Sequence, residues 1–492
     1  MRKKPTSNRL SRIASAPARQ VTIQPPLLRA RYLDEPPLRF CGGREHVSPQ
    51  QGIAFFGPRS IDLPRHPPAV RISFIGTGQS IQSAQNWILS CAEGVNGGAD
   101  HPDFPGFKLD RGFFSEIQVD PGLNEVLTAH DLASVDKPRL RCDRFSAGLE
   151  IISQKLRLLS ERDNPPTYVV LAIPDSMLTE CKTVDYNDAS LGQVHRDFRR
   201  AIKAEAMKFR LPTQILLQRT SEAGPESRQA DHRSKCAWNF FTGMYFKCGG
   251  IPWSPCQLTP GTCYIGISFF RTLGSKSQHM CSSVAQAFDE HGDGIVLRGQ
   301  DFVWDEEKHG KSPHLSETLA NDLIAMVLRR YESEMHQKPA RVVIHKSSRF
   351  WPEEKHGLEQ ALKQVQRFDL LAVNPTSQSR LLRAGQYPPL RGTSFQVGKV
   401  HCLYTTGFIS ALNAYPHGHV PSPLQVADHF GDSSIEMLLS EILTLTKMNW
   451  NSADFAGLMP ITLRFSRLVG DIMREFPMTQ SHQPLPQFRY YI

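Results

Sequence analysis

Tyr168-Val-Val-Leu-Ala-Ile-Pro174 is almost wholly apolar and is closed by a proline. A strand with one wet face alternates apolar and polar side chains. A continuous apolar run of this length instead suits a strand covered on both faces, as in parallel sheets flanked by helices. Two further stretches fit beside it. Val70-Arg-Ile-Ser-Phe-Ile75 reads as a strand that passes through Gly76-Thr-Gly78 into a helix over 81–91, and Gln214-Ile-Leu-Leu217 reads as a short buried strand. The chain is therefore expected to be α/β, beginning with a small parallel sheet between helices.

The turn at Gly76-Thr-Gly78 invites comparison with dinucleotide-binding folds. Ile81 stands where their third glycine belongs, and no acidic residue follows at the required distance. A tight strand-to-helix turn explains the glycines more simply. A nucleotide-binding enzyme built on this turn is carried only as an alternative.

At 492 residues the chain has room for two to four domains. Lys and Arg number 57 against 48 Asp and Glu, a net +9, which favours an anionic partner. No apolar run reaches the roughly 18 residues of a membrane span, and no signal-peptide core follows the basic start. The expected location is cytoplasmic, with no membrane partner. Ten cysteines lie scattered, and Cys248, Cys256 and Cys263 lack Cys-x-x-Cys spacing, so reduced structural thiols are expected and no zinc.

The basic residues become informative between Arg199 and Trp253. A helix is expected over 198–209, ended by Pro212, with Arg199 and Lys203 four apart on one face. A second helix over 236–246 delivers Lys247 and is stopped by Gly249-Gly250. Two cations and the Gln214 amide, converging from separate elements, can seat a phosphate. The plain alternative is a solvated basic helix.

After Trp253 the pattern changes. Strands are expected over 262–270, 283–288 and 294–299, then a long helix over 316–335, a strand over 340–348 and a helix over 353–366. That succession is an RNase-H-like layout. Residues 1–26 read as a flexible basic arm, 33–58 as turn-rich, and 221–234 as a polar basic loop.

Lys203, Gln214 and Lys247-x-Gly-Gly-x-Pro-Trp253 resemble the guide 5′-phosphate pocket in the MID domain of Argonaute proteins. Arg199 stands where that family often has an aromatic residue or His. Leu403-Tyr-Thr-Thr-Gly407, Tyr415-Pro-His-Gly-His-Val-Pro-Ser-Pro-Leu424, Leu445-Thr-Lys-Met-Asn-Trp-Asn-Ser452 and Pro460-Ile-Thr-Leu-Arg-Phe-Ser-Arg467 are similar to the PIWI core of short prokaryotic Argonautes. The likeness runs from Leu33 to the end. It implies a Rossmann-like MID domain with an N-terminal segment over 27–255 and an RNase-H-like PIWI domain over 256–492, with no PAZ or N domain.

The resemblance also implies chemistry and partners. A 5′-phosphorylated RNA guide would be held by Arg199, Lys203, Gln214 and Lys247. Mg²⁺ would bridge the first guide phosphates, Gln214 and the carboxylate of the C-terminal Ile492. The target would be complementary single-stranded DNA of plasmids or phages. Target pairing would switch on a separate APAZ-containing effector in a heterodimer, a TIR or SIR2 enzyme that depletes NAD or, less often, a nuclease, as antiviral defence.

Active relatives hold two Mg²⁺ ions with carboxylates, whose positions correspond here to Ser268, Ser347 and Arg467. A hydroxyl lacks the charge of a carboxylate, and a guanidinium repels the metal. A non-cleaving PIWI domain is the expectation, and an active guide-directed nuclease the alternative. Asp289, Glu290, Asp293 and Asp301 read as solvated turn residues, and His417 and His419 as structural.

Overall fold

The computed structural model describes residues 28–492 except 99–100, 189–191, 223–231, 272–278, 289–292, 306, 308–309, 417–418 and 477–483. The 1–26 arm, Asp289, Glu290, His417 and most of the 221–234 loop lie outside the described residues. The described residues open on a strand, β1 (Leu28–Tyr32), and then build the first unit, which contains β2 (Ala69–Gly76), α1 (Gly78–Ala92), β3 (Glu116–Val119), β4 (Glu125–Val126), α2 (Arg141–Ser160), β5 (Tyr168–Ala172), α3 (Phe198–Lys208), β6 (Thr213–Ile215) and α4 (Arg233–Lys247). The sheet runs β6-β5-β2-β3, with β4 also on β2, and every pairing is parallel.

All five residues of β5 are buried, as the apolar run requires. One face packs on α2 and α3 through Phe145, Ile152, Leu156 and Ile202. The other packs on α1 and α4 through Trp87, Trp238, Phe241 and Met244.

The Gly76-Thr-Gly78 turn accounts for its own glycine. A Cβ on Gly76 would meet the Ala172 carbonyl oxygen at 2.4 Å, so the residue permits β2 to lie against β5. Thr77 and Ser80 close the first turn of α1 reciprocally: the Ser80 N–H donates to Thr77 Oγ1 at 3.1 Å and the Thr77 N–H to Ser80 Oγ at 2.9 Å. The amides a phosphate would need there are partly spent.

The second unit contains β7 (Thr262–Phe270), β8 (His279–Phe288), β9 (Asp293–Val303), α5 (Glu317–Met335), β10 (Arg341–Lys346), α6 (Pro352–Ala361), β11 (Arg367–Pro375), β12 (Thr393–Val397), β13 (Val400–Leu403), β14 (Leu424–Gly431), α7 (Ile435–Leu445) and α8 (Ile461–Met473). Its nine-stranded sheet runs β1-β12-β13-β14-β11-β10-β7-β8-β9. β7, β10 and β11 are parallel, whereas β8 and β9 return antiparallel beside β7. This is the RNase-H-like arrangement. α5 and α6 cover one face and α7 and α8 the other, and the latter core is continuous with that of the first unit.

Four elements differ from the expectation. β1 opens the segment grouped with the first unit, yet it pairs antiparallel with β12 at the edge of the large sheet. The 33–58 stretch includes a helix, Pro49–Phe56, started by Ser48, whose hydroxyl accepts from the Gln51 N–H. α4 begins at Arg233, three residues early, because the His232 side chain caps it. α6 stops at Ala361, and of the next five residues only Leu362 and Val365 pack on the core.

Candidate nucleic-acid interface

α3 is started by Asp197, whose carboxylate accepts from the Arg200 N–H at 3.1 Å. Phe198, Ala201, Ile202 and Met207 face inward. That places Lys203 half-buried at the edge of the helix, while Arg199, one turn earlier, stays exposed. α4 arrives from the other side of the sheet. Gly249, at φ +102°, turns the chain away after Lys247.

Lys247 is 1% exposed. Its Nζ donates to the Thr213 carbonyl at 3.0 Å and to Gln214 Oε1 at 2.7 Å. Lys203 Nζ donates to the Tyr491 carbonyl at 3.5 Å, one residue from the end of the chain. The tail itself is locked in. Tyr491 and Ile492 are buried, Tyr490 Oη donates to the Arg210 carbonyl at 3.3 Å, and Phe488 stacks on Phe465. Lys203, Gln214, Lys247 and the C-terminus therefore share one locality, and Arg199 lies at its exposed margin.

Burial pushes the Lys203 ammonium down to about 8. Lys247 is held well below its usual value, by burial first and then by the positive charge of Lys203. Both its hydrogen-bond acceptors are neutral oxygens. An arriving dianion would supply the counter-charge that these acceptors lack.

The same helix clasps the second unit. Arg196 Nε lies 2.9 Å from Glu475 Oε2, and the Asp197 N–H donates to Glu475 Oε1 at 2.9 Å. Arg200 Nη2 meets Asp471 Oδ2 at 3.2 Å. Glu475 lies two residues past the end of α8 and Asp471 lies on it, so the helix bearing Lys203 is fastened to the helix bearing Arg467.

α8 borders a cleft of about 780 Å³ into which Ser268, Ser347 and Arg467 all open, with Lys311 and Arg464. β7 and β10 pair Ile267 with Lys346, which sets Ser268 beside Ser347 at neighbouring strand ends. A Cβ on Gly266 would meet the Thr462 carbonyl oxygen at 2.1 Å, so this glycine admits the start of α8 against β7. Asp471 is the only acidic side chain lining the cleft among the described residues. Beneath it, buried Glu354 is occupied by Lys346 and by the Leu315 N–H. Asp301 pairs with Arg298 at 3.2 Å. Among the described residues no group of three or more His, Cys, Asp or Glu is placed to hold a metal. No helix among them is long and apolar enough to cross a membrane.

Sequence reasoning missed the fasteners hidden in its own motifs. Lys447, from Leu445-Thr-Lys-Met-Asn-Trp450, is buried and binds Glu35 Oε1 at 3.0 Å together with the carbonyls of Pro36 and Val47. Arg391 Nε binds the same Glu35 at 2.9 Å. Trp253 Nε1 donates to the Lys447 carbonyl at 3.0 Å, and Trp450 Nε1 to the Trp253 carbonyl at 3.1 Å. A lysine between Leu445 and Trp450 was the available signal, since such a charge stays buried only when paired.

This architecture is an Argonaute-like fold. The chain is similar to the structure of Clostridium butyricum Argonaute bound to a guide DNA and a 19-mer target DNA, with 17% identity and a TM-score of 0.67, covering 92% of this chain and 54% of that one. It is similar to Drosophila Piwi (14% identity, TM-score 0.57, 94% and 56% covered) and to A. aeolicus Argonaute (13%, 0.55, 92% and 53%). The chain thus spans about half the length of the solved structures it matches. No protein-family model and no curated protein matches it.

Proposed function

We propose that this chain is a guide-binding, non-cleaving short Argonaute subunit. It holds a 5′-phosphorylated RNA guide and pairs it with complementary single-stranded DNA of invading plasmids or phages. The convergence of Lys203, Gln214 and Lys247 on the buried C-terminus carries this reading. Two ammonium groups with no anionic partner among the described residues suit a terminal phosphate, and base pairing supplies the sequence readout. Arg199 is then the exposed cation nearest the first nucleotide. On the same reading, target pairing activates an APAZ-containing effector, a TIR or SIR2 enzyme that consumes NAD.

Mg²⁺ at the guide end would take the Ile492 carboxylate and the Gln214 amide oxygen, shielding the first phosphates. The Gln214 amide oxygen already accepts from Lys247 Nζ at 2.7 Å, which leaves the Ile492 carboxylate as the anionic donor of the pair.

The cleft supports the non-cleaving half of the proposal. Ser268 and Ser347 contribute hydroxyls, Arg467 a positive charge, and Asp471 is engaged by Arg200. Two divalent ions need several anionic ligands close together. Guide-loaded protein incubated with labelled complementary DNA and Mn²⁺ is expected to give no product. Cleavage opposite the guide would establish the alternative, an active nuclease.

Guide capture should also consume protons. A phosphate beside Lys203 and Lys247 raises both depressed values, so the complex binds more protons than the free chain does. Affinity is expected to fall as pH rises through about 8. At that pH a phosphate monoester is already fully ionised, so uptake belongs to the lysines. Calorimetry at pH 8 in two buffers of different ionisation enthalpy should reveal uptake for 5′-phosphorylated RNA and less for 5′-hydroxyl RNA. Equal heats in both buffers would contradict the arrangement.

A further inference from the structure

A second basic cavity, of about 220 Å³, opens where the two units and the C-terminal tail meet. None of Lys203, Gln214 or Lys247 lines it. Arg65 comes from the first unit, Arg330 and Glu334 from α5, and Gln487 and Arg489 from the tail. The tail is held to β9 by a bridge between Ile295 and Gln487 and by the Val296 N–H, which donates to the Pro486 carbonyl at 2.6 Å. β9 begins at the end of the sheet opposite Ser268, so this cavity is remote from the cleft.

Three guanidinium groups and one carboxylate line the cavity among the described residues. Arg330 reaches Glu334 at 2.5 Å through Nη2, and Arg65 donates through Nε to the Gly249 carbonyl at 2.9 Å. Arg489 lies over the Tyr490 ring at 5.2 Å. The Nε atoms of Arg330 and Arg489 are both buried and meet no acceptor among the described residues. A buried donor left unmade is costly, and two beside one cavity suit an oxyanion. The predominance of guanidinium over carboxylate excludes a cation as the occupant.

We propose that this cavity is an anion site, separate from the guide pocket, that takes a phosphate or short polyphosphate, either free or carried on a small metabolite. Arg330 and Arg489 are its principal donors, Glu334 holds Arg330 in place, and Gln487 adds an amide. A ligand there touches the first unit, α5 and the tail together. It therefore stiffens the junction that positions Tyr491 against Lys203.

Inorganic phosphate, pyrophosphate and AMP are each titrated into the full chain carrying Lys203→Ala and Lys247→Ala, which removes the competing pocket. Binding of at least one anion is expected to persist, with a rise in thermal midpoint. Arg330→Gln in that background is expected to weaken it at least about tenfold. AMP exceeding inorganic phosphate assigns the site to a nucleotide, and equal affinity assigns it to the phosphate group itself. Should the double lysine variant fail to fold, pyrophosphate is titrated into the otherwise unaltered chain with and without Arg330→Gln, and the loss of one of two binding events is expected. Absence of all anion binding once the guide pocket is removed, or indifference to Arg330→Gln in either background, overturns the proposal.

Discussion

Replacing Lys203 and Lys247 together by alanine should abolish the preference for 5′-phosphorylated over 5′-hydroxyl RNA and weaken guide binding about 10²-fold or more. Each lysine would make a charge-assisted contact, worth about 1.5–3 kcal/mol. Two such contacts sum to about 3–6 kcal/mol, a factor of roughly 10² to 10⁴. The salt dependence of binding should also flatten by up to about two units of slope, because two phosphate-neutralising cations are gone. Collapse of the fold is not expected. Lys247 is buried against neutral acceptors, where its positive charge is a burden on the free protein. A double variant that folds and still prefers the phosphate would place the pocket elsewhere.

The second large effect concerns stability. Glu35→Ala should cost about 3–5 kcal/mol, because it strands two buried cations, Arg391 and Lys447, beside an empty space. Burial alone would raise the Glu35 carboxyl, and Arg391 and Lys447 outweigh it, holding the group below its ordinary value. Its folded pKa is depressed, so its contribution is fully present above about pH 4.5 and fades as the pH falls through the folded value. Lys447→Met in the Glu35→Ala background should recover part of the loss, since the two residues are coupled. Urea midpoints compare both variants with the parent. A Glu35→Ala midpoint within error of the parent would mean that the trio is not what ties the opening segment to the second unit.

What could be read in advance followed the range of the interactions. β5, β2 and the β7 strand announce themselves because burial on both faces or alternation is written into neighbouring residues. Ser268 and Ser347 were marked by the resemblance alone, and the parallel pairing of β7 with β10 sets them side by side. Lys203, Gln214 and Lys247 could be grouped because, with the Gly-Gly-x-Pro-Trp253 that follows, they resemble a known phosphate pocket. The rest depends on distant partners. β1 joins β12 across more than 360 residues, and nothing in Leu28–Tyr32 states which sheet it will extend. The Glu35–Arg391 pair spans 356 residues. The clasp of Arg196, Asp197 and Arg200 on Glu475 and Asp471 is equally silent in the sequence. Arg200, not its neighbour Arg199, turned out to bridge the units. Pro49–Phe56 was overlooked for another reason. Its start signal, Ser48-Pro49, is sound, but Gly52 and the following Gly57-Pro58 made the stretch look like turns, whereas Gly52 is there because the Phe40 ring lies where a Cβ would go.

The most direct measurement is the affinity of the unaltered chain for one RNA sequence prepared with a 5′-phosphate, a 5′-hydroxyl or a 3′-phosphate. Capture of a strand by its phosphorylated beginning predicts tight binding of the first and about 10²-fold weaker, mutually similar binding of the other two. Equal affinity for all three would contradict it.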